Sequence, residues 1–117
     1  MDIILKSLAL DSLPVLKVEL KDLKILDLSD NNLVKVNFNK YLFPKLSSLL
    51  MYENKLTDIQ FSSNQFPLLK SIWLAKNKFT FIPNSLFAFA SMEELIMDFN
   101  YIEKIPDEIS NFKNLKT

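Results

Sequence analysis

The hydrophobic positions of this chain recur with a fixed step. Leu23, Leu26, Leu28, Asn31 and Leu33 stand in the spacing L-x-x-L-x-L-x-x-N-x-L. Leu46, Leu49, Met51, Asn54 and Leu56 repeat it, then Leu69, Ile72, Leu74, Asn77 and Phe79, then Met92, Leu95, Met97, Asn100 and Ile102. Leu23, Leu46, Leu69, Met92 and Leu115 are each 23 residues apart. The x-L-x-L-x segment of each copy alternates, so its successive side chains point to opposite faces of a strand. Leu26 and Leu28, Leu49 and Met51, Ile72 and Leu74, and Leu95 and Met97 are the predicted inward pairs. Strands of successive copies then lie parallel, about 4.8 Å apart. One copy cannot bury its apolar face alone, whereas stacked copies make a continuous core.

The step divides the chain into repeats 1–22, 23–45, 46–68, 69–91 and 92–114, with the start of a further one at 115–117. Setting Leu13-Pro14 against Ile105-Pro106 puts Ile3, Leu5 and Leu10 of the first repeat on core positions, with Leu8 where later repeats have Asn. A competing frame in Leu5, Leu8 and Leu10 leaves only 18 residues before Leu23, and the constant step is preferred. Two further ladders follow. Asn31, Asn54, Asn77 and Asn100 come just after the strands, where a side-chain amide can serve turn backbone groups as both donor and acceptor. Leu20, Phe43, Phe66, Phe89 and Phe112 line the return legs, each Phe bringing about 150–250 Å² of area to bury. Proline falls either after the last core aliphatic (Pro14, Pro83, Pro106) or after the spine Phe (Pro44, Pro67). The middle repeats add Phe38 and Phe61, so two repeat subtypes are interleaved.

Period and signature together resemble the leucine-rich repeat family over almost the whole chain. The resemblance implies an α/β solenoid, a right-handed superhelix with a parallel sheet on its concave face and irregular or short helical segments on the convex one. No long α-helix is expected. The Phe ladder looks like the aromatic spine of that family, and the Ile-Pro repeats resemble those of intracellular signalling proteins. The chain stops at Leu115-Lys116-Thr117 with no capping segment after it, which suggests a truncated or uncapped end and possible edge-to-edge self-association.

Composition narrows the chemistry. With no His and no Cys, the usual zinc sites, catalytic dyads and triads are not available, and no metal or cofactor is expected. With no Gly there is no phosphate-cradling loop. Fourteen Lys, with no Arg, balance fourteen acids, so neither a net basic field nor arginine readout favours nucleic acid. No apolar run reaches membrane-spanning length. Absent cysteines, absent N-x-S/T sequons and an acidic second residue point to the cytoplasm. The neighbouring acids Glu93-Glu94 and Asp107-Glu108 suggest a solvated surface rather than a catalytic pair.

Between the inward positions lie residues predicted to face the concave side. One row reads Ile4, Asp27, Leu50, Trp73, Ile96; the next Lys6, Ser29, Tyr52, Ala75, Asp98; the third Ser7, Asp30, Glu53, Lys76, Phe99. Leu50, Trp73 and Ile96 form an apolar row on a face expected to be polar, flanked by Tyr52 and Phe99. Asp27, Asp30, Glu53, Glu94 and Asp98 form the predicted rim. Single exposed aliphatics are common, but an aromatic cluster centred on the one Trp of the chain has the character of a protein-binding patch. The expected function is a non-enzymatic module that binds a protein or peptide, with an apolar anchor and basic flanks, in intracellular signalling. The alternative is the regulatory segment of a larger signalling enzyme, such as a type 2C phosphatase, kinase, cyclase or Roco-type GTPase.

Overall fold

A computed structural model describes residues 2–12, 20–39, 41–89 and 91–112. Its strands are short: β1 (Asp2–Ile4), β2 (Ile25–Asp27), β3 (Lys35–Asn37), β4 (Ser48–Leu50), β5 (Asp58–Gln60), β6 (Ser71–Trp73) and β7 (Glu94–Ile96). β1, β2, β4, β6 and β7 form one sheet in that order, parallel throughout. Ile3, Leu26, Leu49, Ile72 and Leu95 stand in line across it. The register is the constant step of 23, and the frame in Leu5, Leu8 and Leu10 fails because Ile3, not Leu5, pairs Leu26. Leu8 is exposed accordingly.

The alternation in sequence becomes a core with one side. Leu26, Leu28, Leu49, Met51, Ile72 and Leu74 are completely buried. Leu95 and Met97 are half-buried, since β7 has a described neighbour only in β6. On the far side Phe43, Phe66, Phe89 and Phe112 are buried, and Leu20 is half-buried. The Phe43 and Phe66 rings stack at 4.9 Å between centroids, and Phe38 meets Phe66 edge to face at 5.6 Å. Phe112 is reached through Phe87, at 5.5 Å.

The Asn side chains tie each repeat to the one before it. Asn77 Nδ2 donates to Leu74 O of its own repeat and to Met51 O of the preceding one, both at 3.0 Å. Its Oδ1 accepts the Leu56 N–H at 3.0 Å. Asn54 and Asn100 make the corresponding three bonds, and Asn31 accepts from both Leu8 and Leu10. The residue before each Asn has a left-handed backbone, as has Ser7 before Leu8 at the equivalent place in the first repeat: Ser7, Asp30, Glu53, Lys76 and Phe99 all have φ between 54° and 60°. That conformation suits Gly best, yet the chain has none. The tight corner is therefore held by the bonds around the Asn.

The return legs are more ordered than an irregular path. β3 and β5 pair in a second, two-stranded parallel sheet. Val36 and Phe38, like Ile59 and Phe61, are buried, while Lys35, Asn37 and Gln60 are exposed. The two repeat subtypes thus differ in backbone as well as in filling. Where Pro83 or Pro106 follows the core aliphatic, the leg winds instead into 3-10 turns, Asn84–Ala88 and Asp107–Asn111. Proline has no N–H to continue a ladder. The backbone of Ile59 on β5 is met by side chains: its N–H donates to Asp58 Oδ1 at 3.0 Å, and its carbonyl accepts the Ser85 hydroxyl at 3.2 Å. No α-helix occurs among the described residues. Leu13-Pro14 and Leu115-Lys116-Thr117 lie outside them, and with them the expectations placed there.

Candidate functional site

The outer face of the large sheet carries the rows expected there. Ile4, Asp27, Leu50, Trp73 and Ile96 are Cα partners across β1, β2, β4, β6 and β7. Leu50, Trp73, Ile96 and Tyr52 are half-buried, neither sealed nor free. The Tyr52 and Trp73 rings lie 6.2 Å apart at 46°. Between them, with Ala75 and Ile96 alongside and Glu53 and Lys76 at the margin, is a hollow of about 300 Å³ with mostly apolar walls. Its size is at the lower end of small-ligand pockets, enough for one or two apolar side chains.

The indole has a fixed setting. Trp73 Nε1–H donates to Glu94 Oε1 on β7 at 2.5 Å and to Ser71 Oγ at 3.0 Å, and Ser71 Oγ–H donates to the same Glu94 oxygen at 2.6 Å. These two donors hold the Glu94 carboxyl below its ordinary value of 4.5, against a smaller opposing desolvation. At neutral pH Trp73 is therefore edge-on to a carboxylate, an arrangement that satisfies the one polar group of an otherwise apolar ring.

The predicted rim is only partly a rim. Asp30 is exposed and accepts the Ser7 hydroxyl at 2.6 Å. Glu53 is exposed and lies 3.7 Å from Lys76 Nζ. Asp98 is exposed. Asp27 departs from its expected place: it is 9% exposed, and its Oδ1 accepts the backbone N–H of Ser29 at 3.0 Å. In the next row Lys6 and Tyr52 meet across the Ser29 position. Phe99 also departs. It is 75% exposed, it does not line the hollow, and its ring lies 5.9 Å from Lys76 Nζ. Ser71, Ala75 and Lys76 complete the site; Ala75 and Lys76 stood in the predicted outward rows without being named as site residues, and Ser71 was not named at all. Ser71 is a neighbour of Trp73 by alternation, and Ala75 and Lys76 by the two rows beside it, which was the available signal.

Two other hollows differ in kind. One of about 400 Å³ lies by β5, between Phe61, Phe81 and Pro83, with mixed walls. One of about 320 Å³ opens on Leu95, Met97, Ile102 and Ile109 at the β7 end of the core. Among the described residues no group of three His, Cys, Asp or Glu is placed to hold a metal ion, and no helix is long and apolar enough to cross a membrane.

Residues 22–42 match the family model described as Leucine Rich Repeat. A search of curated proteins returns no match. Among solved structures, the fold is similar to a chain in the crystal structure of the Drosophila melanogaster SNF/U2A' complex, with a TM-score of 0.82 and 24% sequence identity. The likeness covers 98% of this chain and 70% of that one.

Proposed function

We propose that this chain, a leucine-rich repeat protein, is a non-enzymatic module that binds a protein or peptide segment on the concave face of its large sheet, with an apolar side chain seated in the Trp73 hollow. The observation that carries the reading is the pair of half-buried rings, Trp73 and Tyr52, around an apolar hollow on a sheet face that is not covered by any other part of the described chain. An accessible aromatic pocket is where binding energy concentrates. Glu53 lines it and Glu94 is bonded to Trp73, with Asp30 and Asp98 on the same face further off, and the lysine at its margin, Lys76, already faces Glu53. The surplus of acid favours a partner with basic residues flanking its anchor. The similar fold in the SNF/U2A' complex supports a protein as the partner class.

The test is a peptide-display selection on the immobilised protein, with Trp73→Ala as the parallel target and circular dichroism to verify its fold. Peptides with one bulky apolar residue and basic neighbours are expected, binding the Trp73→Ala protein about tenfold or more weakly, in line with loss of a hot-spot aromatic. Selected peptides that bind both proteins equally would place the site elsewhere.

A further inference from the structure

Beyond Tyr52 the sheet face changes from apolar to polar. Lys6, Ser29 and Tyr52 occupy one row, joined through the backbone bonds Ser7 N–H to Ser29 O and Asp30 N–H to Tyr52 O. Lys6 Nζ donates to Tyr52 Oη at 3.0 Å and lies 5.3 Å from the centre of the ring. The two long side chains close over the short one between them, and Ser29 is 0% exposed as a result. Under this arch is the Ser29 hydroxyl, which has no hydrogen-bond partner among the described residues, and beside it is the Asp27 carboxylate, which accepts the Ser29 N–H. A buried hydroxyl left unpaired is uncommon and marks a place where another polar group belongs.

We propose that the arch is a cation subsite and that Lys6 is its resident occupant, to be replaced on binding by a guanidinium or ammonium group of the partner segment. This rests on the reading of the concave face as a peptide-binding surface, and adds a definite second contact to the apolar anchor. Three observations support it. First, the site already stabilises a cation: the ammonium of Lys6 is held above its ordinary value, chiefly by the Tyr52 hydroxyl through its hydrogen bond and its charge, with smaller help from the Asp27 and Glu53 carboxylates and against some desolvation. Second, Lys6 is loosely kept. It is exposed, and no carboxylate among the described residues is within ion-pair distance of it, so its hydrogen bond to a phenol competes with water.

Third, the demand beneath the arch exceeds what Lys6 supplies. Asp27 is a nearly buried carboxylate that accepts the Ser29 N–H and has no ion pair among the described residues, so it keeps acceptor capacity for a further donor. A guanidinium presents five donors in a planar fork and stacks on aromatic faces, so one arginine can lie on Tyr52 and reach both the carboxylate and the serine hydroxyl. Tyr52 is shared with the Trp73 hollow, which sets the basic residue of the partner within a few positions of its apolar anchor.

N-acetylarginine amide and its neutral isostere N-acetylcitrulline amide are suitable probes, titrated into isotope-labelled protein and followed by amide chemical shifts. Lys6→Met keeps the aliphatic stem and removes the competing charge. It is expected to bind the arginine amide roughly two- to fivefold more tightly than the parent, the worth of one exposed cation–π contact, with shifts centred on Ser29 and Tyr52. Asp27→Asn, which retains an acceptor for the Ser29 N–H, is expected to lose that gain. Equal affinity of parent and Lys6→Met, or equal shifts with the citrulline amide, would overturn the subsite. Either result leaves the Trp73 reading to its own test, because displayed peptides that need Trp73 but not a basic residue would sustain the one and remove the other.

Discussion

The indole N–H of Trp73 and the carboxylate of Glu94 are hydrogen-bonded across adjacent strands, at 2.5 Å, with Ser71 bonded to both. The contact fixes the ring edge to the sheet and leaves the ring beside Tyr52 and the hollow. Because the bonded form is the charged one, the Glu94 carboxyl lies below 4.5 in the folded protein. A lowered folded value means that the contribution is complete above about 4.5 and is lost as pH falls through the folded value. Trp73 emission is therefore expected to be steady from neutral pH to about 4.5 and to shift below it while the fold persists, and Glu94→Gln should abolish that step. A step of unchanged size in Glu94→Gln would assign it to another group.

Access to the same ring is a separate prediction. Trp73 is half-buried, so iodide should quench it, more strongly than a core Trp and less than free tryptophan. A selected peptide should restore protection. Protection already present in the free protein, and lost on dilution, would show that a second copy covers the face.

The Asn ladder carries a stability prediction. Asn77→Ala leaves Leu56 N–H and the carbonyls of Met51 and Leu74 without their side-chain partner. A cost of about 1–3 kcal/mol is expected in urea unfolding, the desolvation penalty of orphaned buried polar groups. No change in midpoint would mean that water or the backbone replaces the amide without loss.

Phe66 is the best-packed ring of the spine, stacked on Phe43 and edge to face with Phe38 and Phe61. Truncation to Ala should cost about 3–5 kcal/mol, transfer and cavity effects together. A loss under 1 kcal/mol would indicate that neighbouring repeats collapse into the space.

Lys76 tests the left-handed corner, with φ of 58°. Glycine occupies this region freely, whereas a β-branched residue there is strained. Lys76→Gly should therefore be more stable than Lys76→Val by about 1–2 kcal/mol. Both lose the same exposed contact with Glu53 at 3.7 Å, which cancels in the comparison. Equal midpoints would show that the corner relaxes.

What the sequence by itself determined is everything that repeats. Leu26, Leu49 and Ile72 face inward because alternation within a strand and the step of 23 together leave one consistent face to bury, and Asn and Phe recur at the same step for the same stacking reason. The left-handed corner was not legible, since Ser7, Asp30, Glu53, Lys76 and Phe99 share a backbone conformation but no chemical type. Nor was the second sheet, although Phe38 and Phe61 marked the repeats that form it. The site divides along the same line. Leu50, Trp73 and Ile96 could be placed in one row by counting, but the bond from Lys6 to Tyr52 spans 46 residues and depends on a short Ser29 between two long side chains. Only the tertiary structure decided that Asp27 would be covered and Phe99 left in solvent. Side-chain direction is a property of local backbone period, whereas cover over an outward side chain depends on the lengths and charges of its neighbours in adjacent repeats.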